Sequence, residues 1–189
     1  MNESERGLVL LMLARGAIAE QFGATLTAAV SAPHEAWLDA PGATFVTLMR
    51  HGQLRGCVGS VHAHRPLLED VRTNAVGAAF RDSRFAPLRE AEFPDTLVEV
   101  SLLSPAQSLL FNSEKAATAQ LRPGMDGVIF EYGHQRSTFL PQVWETLPDA
   151  TLFMEQLKLK AGLPADFWSP EVKLSVYTVQ KWKEGDAGS

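Results

Sequence analysis

The chain has one cysteine, Cys57, in the run Leu54-Arg55-Gly56-Cys57-Val58-Gly59-Ser60. A thiol becomes a useful nucleophile or redox centre when nearby positive charge draws its pKa below the free value of about 8.5. Arg55 is the local candidate for that charge. Residues two apart on a strand share a face only if no bulge intervenes, so Arg55 could also hold an anionic group. Glycines on both sides of the cysteine leave the backbone open to close approach by a ligand or another segment. The opposing reading is that free cysteine is among the most buried residue types and often only packs. Gly56 and Gly59 could also present backbone N–H groups to an anion. The run matches neither Gly-x-Gly-x-x-Gly nor the P-loop, and a tight turn or bulge explains the glycines equally well.

Other polar residues could complete such a site. Asp82-Ser83-Arg84 follows a segment with helical character, and Glu99 and Ser101 are the polar members of the apolar run Leu97–Leu103. Asp82 or Glu99 could orient a thiol or exchange protons with it, beside Arg55 and Cys57. Gly56, Gly59, Ser83, Arg84, Ser101 and Thr138 are the candidates for binding. Thr138 lies among polar groups before Pro141, a pattern equally consistent with an edge strand. His62 and His64 share a strand face and His51 sits in the preceding turn, but no third ligand has convincing spacing, so no metal is indicated. No cofactor motif is present. No serine lies in a Gly-x-Ser-x-Gly elbow, which argues against a serine hydrolase.

The elements that must position these groups follow from period and punctuation. Asn2 with Glu5 has the form of a capping box, and Leu8, Leu11, Met12, Ile18 and Phe22 predict a helix from about Ser4 to Phe22, stopped by Gly23. Gly7 and Gly16 within it either cost roughly 1 kcal/mol each relative to alanine or mark close packing. The small and polar stretch to Pro41-Gly42 reads as loop. Ala43–Arg50 and Leu54–Val61 form a hairpin about His51-Gly52-Gln53, with Cys57 mid-strand or at a bulge. Pro66 opens a second helix to about Asp82, with a stripe of Leu68, Val71, Ala75, Ala78 and Ala79 close to a sheet. A strand over Leu97–Leu103 and a short helix over Glu114–Leu121 follow. A second hairpin covers Val128–Tyr132 and Arg136–Leu140. Asp149 or Thr151 caps a helix to Ala161, and a long last strand spans Val172–Trp182. The tail from Lys183 is polar and expected to fray. Hairpins dominate and no βαβ repeat occurs, so the class is α+β with mostly antiparallel pairing and flanking helices.

The 189 residues, 46% of them hydrophobic, suffice for one full domain with two lobes. A net charge of −5 with scattered lysines and arginines argues against nucleic acid as a partner. The acidic start, the absence of a long apolar run and the single free thiol predict no membrane association and a cytoplasmic protein.

Together these motifs resemble the AMMECR1 family. The resemblance is carried by Leu54-Arg55-Gly56-Cys57-Val58-Gly59, Asp82-Ser83-Arg84-Phe85 with Pro87, and Val98-Glu99-Val100-Ser101-Leu102-Leu103. Pro123-Gly124-Met125-Asp126-Gly127-Val128, Thr138-Phe139-Leu140-Pro141-Gln142-Val143-Trp144 and Lys160-Ala161-Gly162 extend it over nearly the whole chain. Asp126-Gly127 looks like the bacterial and archaeal branch. The resemblance implies an α+β fold of two unequal lobes, with the signature hairpin facing a cleft between them. It also implies partnership with a Memo-like protein and a radical SAM protein, in the AmmeMemoRadiSam system, but no settled activity. Two functions are expected. One is a cytoplasmic enzyme or enzyme component using Cys57 as nucleophile or acid/base on a small anionic substrate. The other is a non-catalytic binding or adaptor module.

Overall fold

Buried apolar side chains sort into two separate clusters, one built around Leu10, Ile18, Val46, Val71 and Val98, the other around Phe130, Phe153, Leu157 and Leu174. The computed structural model describes residues 2–23 and 35–185, and the chain divides into two units accordingly. The first takes the chain to Leu103 and resumes at Gln180; the second spans Ser104–Val179.

In the first unit, α1 (Glu3–Gln21) begins at the predicted capping box. Asn2 Oδ1 accepts from the Glu5 N–H at 2.9 Å, and Glu5 returns the bond to the Asn2 N–H at 2.7 Å. After a 3-10 turn (Ala36–Leu38) come β1 (Pro41–Gly42), β2 (Thr44–Arg50), β3 (Gln53–Gly59), β4 (Arg65–Pro66) and α2 (Leu67–Phe80). A second 3-10 turn (Glu90–Asp95) leads into β5 (Thr96–Leu103). Strands β1 and β4 form a small two-stranded sheet. The main sheet has the order β10-β5-β2-β3, with β10 (Val179–Lys183) returning from the second unit. Val46, Leu48, Val98 and Val100 point from this sheet into the cluster shared with α1 and α2. Their alternating neighbours therefore occupy the face opposite α1 and α2.

Gly7 shows why α1 tolerates a glycine. A Cβ there would lie 2.3 Å from the indole of Trp182, so the position marks close packing between α1 and β10.

The second unit holds β6 (Gln107–Ser108), α3 (Glu114–Thr118), β7 (Gly127–Tyr132), β8 (Gln135–Phe139), a 3-10 turn (Pro141–Glu145), α4 (Ala150–Lys160) and β9 (Lys173–Tyr177). Its sheet is antiparallel throughout, in the order β6-β9-β7-β8. Asp149 caps α4 by accepting from the N–H groups of Thr151 and Leu152. Trp144 stacks on Phe153 with ring centroids 3.8 Å apart.

Two expectations need correction. The single strand over 172–182 is divided at Thr178 into β9 and β10, which belong to different sheets. At the break, Ser104 and Thr178 exchange hydrogen bonds, taking up the backbone groups a continuous ladder would have used. The tail is also held further than composition suggests. Lys183 closes β10, and Glu184 accepts from Arg15 Nη2 at 2.7 Å and from the Val98 N–H at 2.8 Å. The rest of the tail, 186–189, and most of the expected loop, 24–34, lie outside the described residues. Among the described residues no helix is long and apolar enough to cross a membrane.

Candidate functional site

The hairpin of β2 and β3 turns on two residues with positive φ, His51 at 51° and Gly52 at 76°, the twist that suits antiparallel strands. Its register places Cys57 opposite Thr47, and β5 places Glu99 opposite Thr47 on the other side. Cys57, Thr47 and Glu99 thus form one row across three strands on the face opposite α1 and α2. Directly opposite side chains in such rows lie within about 5.5 Å at their Cβ atoms. The Thr47 hydroxyl donates to Cys57 Sγ at 3.3 Å. Glu99, almost fully buried, pairs with Lys181 Nζ at 2.5 Å and Lys183 Nζ at 3.6 Å from β10.

Cys57 lies on the edge strand, where an N–H turned away from β2 needs another acceptor. Asp82 supplies it, accepting from Cys57 N at 2.9 Å. The same carboxylate takes Arg84 Nη2 at 2.7 Å, Nε at 3.0 Å and the Arg84 backbone N–H at 3.1 Å. The Arg84 side chain, helped by the Cys57 N–H and opposed by partial burial, holds the Asp82 carboxyl well below the ordinary carboxylate range. Asp82 in turn raises the pKa of Arg84. Arg84 remains half-exposed beside the Cys57 peptide, while Ser83 between them is exposed.

Arg55 is differently employed. The ladder slips between Leu48 and Met49, leaving Arg55 as the extra residue of a bulge. Its guanidinium meets Glu92 at 3.1 Å, as does that of Arg50. Arg55 and the Arg89 N–H pull the Glu92 carboxyl from its ordinary 4.5 to about 2, against partial desolvation.

Both glycines of the run have packing reasons. A Cβ on Gly56 would meet the Ala78 carbonyl oxygen of α2 at 2.0 Å, and one on Gly59 would meet the Phe45 ring at 2.3 Å. Ser101 shares a face with Glu99 and lies opposite Phe45. Thr138 belongs to the second unit, where its hydroxyl donates to Val128 O at 2.9 Å and lies 3.1 Å from Tyr177 OH. His64 is exposed and sits on the His62 carbonyl at 2.9 Å. No group of three metal-ligating side chains occurs among the described residues.

A family model described as AMMECR1 matches residues 11–182. The chain belongs to the AMMECR1 family. A protein of Methanothermobacter thermautotrophicus is 39% identical over 74% of both chains. One from Thermococcus onnurineus is 36% identical over 96% of this chain and 92% of its own. The crystal structure of the uncharacterized protein PH0010 from Pyrococcus horikoshii has the same fold, with a TM-score of 0.80 and 31% identity over 95% of this chain and 91% of that one.

Reading the motifs of this AMMECR1 chain in sequence missed four residues or groups that the fold brings forward. Thr47, Lys181 and Lys183 join the Cys57 row only through strand register. The alternation Val179, Lys181, Lys183 against Trp182 was the available signal for the lysines. The fourth is a buried network on Asp70, which has no exposed surface. It accepts from Thr44 N at 2.8 Å, Thr44 Oγ1 at 2.7 Å, Ser60 Oγ at 2.8 Å, Arg65 Nε at 2.8 Å and Asn74 Nδ2 at 3.0 Å. These bonds tie α2 to both ends of the hairpin segment that carries Cys57. Asp70 and Asn74, one helical turn apart, interrupt an apolar stripe, and that interruption was the legible trace.

Proposed function

We propose that this AMMECR1-family chain is an enzyme or enzyme component that uses Cys57 as nucleophile or acid/base on a small anionic substrate. The observation that carries the reading is the Thr47 hydroxyl donating to Cys57 Sγ at 3.3 Å, with Glu99 next in the same row. The donated hydroxyl holds the sulfur, the atom that would react, in a fixed place beside Thr47. Glu99 is the proton-exchanging candidate, and Lys181 and Lys183 keep positive charge at the end of the row. Arg84 lies beside the Cys57 peptide, available to an anion. Asp82 serves this reading by fixing the Cys57 backbone and Arg84 rather than by moving protons. Arg55 serves it by bracing the bulge through Glu92. Gly56, Gly59, Ser83 and Ser101 shape the surroundings.

Thr47→Val tests the arrangement, since it keeps the shape and removes the donor. Labelling of Cys57 by iodoacetamide should slow by up to about tenfold, the worth of one hydrogen bond. An unchanged rate would remove Thr47 from the site.

The exposed Leu54 and Leu97 favour a second reading, a binding module that works with Memo-like and radical SAM proteins. On that reading Cys57→Ala leaves partner binding intact, while Arg55→Ala or Arg84→Ala weakens it. Equal loss from all three would count against it.

A further inference from the structure

The second unit buries a lysine. Lys158 of α4 is 1% exposed, although a lysine is almost never fully buried unless it is paired. Its ammonium donates to Glu114 Oε1 at 2.6 Å, at the start of α3, and to the Phe167 carbonyl at 3.2 Å. Glu114 keeps 35% of its side chain exposed. Phe167 belongs to residues 163–172, which lead from α4 to β9 without helix or strand. The backbone bonds within this segment are local, from Phe167 N to Pro164 O at 3.0 Å and from Val172 N to Ser169 O at 3.1 Å. Its ends are buried at Leu163 and Val172. Its middle rests on ring contacts, Phe167 with Tyr132 at 4.8 Å and Trp168 with Phe111 at 5.6 Å between centroids. Glu171, near its end, lines a cleft of about 470 Å³ together with Glu131, Gly133 and Lys173.

A buried ammonium with one carboxylate partner is a conditional arrangement. Taking away the carboxylate strands a charge in the core, whereas replacing both charges by apolar groups is close to neutral. If α3 leaves, the Lys158 ammonium must be hydrated. A group so enclosed is hydrated only by parting the elements packed on it, and the 163–172 segment, whose Phe167 carbonyl it holds, is one of them. We propose that residues 163–172 are a strap closed by Lys158 as a charged catch, so that α3 and the strap open together as one local event. Opening moves Glu171 and with it one wall of the cleft. The device lies within the second unit and does not depend on chemistry at Cys57.

The test is amide hydrogen exchange, followed residue by residue by NMR on the full chain. Four amides report: Ala117 and Ala119, whose N–H groups close α3, and Phe167 and Val172 in the strap. Glu114→Gln keeps the shape of the partner and removes its charge. All four amides should then exchange about tenfold faster or more, by a common factor, while β7 and β9 keep their protection. Adding Lys158→Met removes the stranded charge and keeps the length of the side chain. The double variant should exchange at the four amides about tenfold more slowly than Glu114→Gln alone. A catch that acted only through packing would show the opposite, the second substitution adding to the damage of the first. No rise in Glu114→Gln, a rise confined to α3 or to the strap, a double variant as fast as the single one, or a matching rise in β7 and β9 would overturn the proposal.

Discussion

Glu92 is the residue where burial and charge meet most directly. Its folded pKa of about 2 lies below the ordinary 4.5, with the Arg55 side chain as the first cause and the Arg89 N–H as the second. A depressed carboxyl contributes stability that is complete above pH 4.5 and is lost as pH falls through about 2. Urea midpoints measured from pH 6 to pH 2.5 should therefore fall, and Glu92→Gln should lie lower at pH 6 and flatten the decline. Identical slopes in the two proteins would deny Glu92 this role. Asp70 provides a second test at this scale. With Arg65 and four uncharged donors on a fully buried carboxylate, Asp70→Ala should cost about 3–5 kcal/mol in urea unfolding. A loss below 1 kcal/mol would show that the network is not held together by its charge. The partners of Glu92 were not legible in the sequence, and of the Asp70 network only Asp70 and Asn74 left a trace. Arg55 and Glu92 are far apart in the chain, and a bulge that local pattern could suggest but not locate decides which way Arg55 reaches.

Hairpin, helix and turn placement at the element scale was largely legible, because it depends on local chemistry. The Asn2 capping box, the His51-Gly52 turn and the Asp149 cap are read from residue types within a few positions of one another. The reasons for Gly56 and Gly59 were not, since their obstacles come from other elements. These glycines make a graded prediction. At Gly56 an added Cβ meets the backbone oxygen of Ala78, which can move only with α2; at Gly59 it meets the Phe45 ring, which can turn. Gly56→Ala should therefore cost more than Gly59→Ala, with overpacking penalties of about 1–3 kcal/mol setting the scale. Urea unfolding that ranks them in reverse would contradict the close approach of α2 to β3.

The two units explain at the scale of the molecule why the last strand misleads a reader of the sequence. An unbroken alternation over 172–182 carries no mark of the change of sheet at Thr178, because both halves need the same period. The split matters because β10 brings Trp182 to Gly7, Lys181 and Lys183 to Glu99, and Glu184 to Arg15. A chain ending at Thr178 should lose at least about 3 kcal/mol from the first unit, the usual scale for losing a packed tryptophan. Hydrogen exchange should then quicken in α1 and β5 while β7 and β9 keep their protection. Unchanged exchange in α1 would contradict this dependence. The family and the α+β class, in contrast, were legible from motifs spread along the whole chain.

The most direct test of the thiol site uses the fact that Cys57 is the only cysteine. Its alkylation by iodoacetate and by iodoacetamide is measured at one pH in the folded chain and in urea. The site described here predicts that folding raises the iodoacetate rate relative to the iodoacetamide rate, because Arg84, Lys181 and Lys183 favour an anionic reagent. It also predicts that the folded thiol reacts at least as fast as the unfolded one with iodoacetate. Labelling slower than in the unfolded chain with both reagents would contradict it and leave Cys57 as a packing residue.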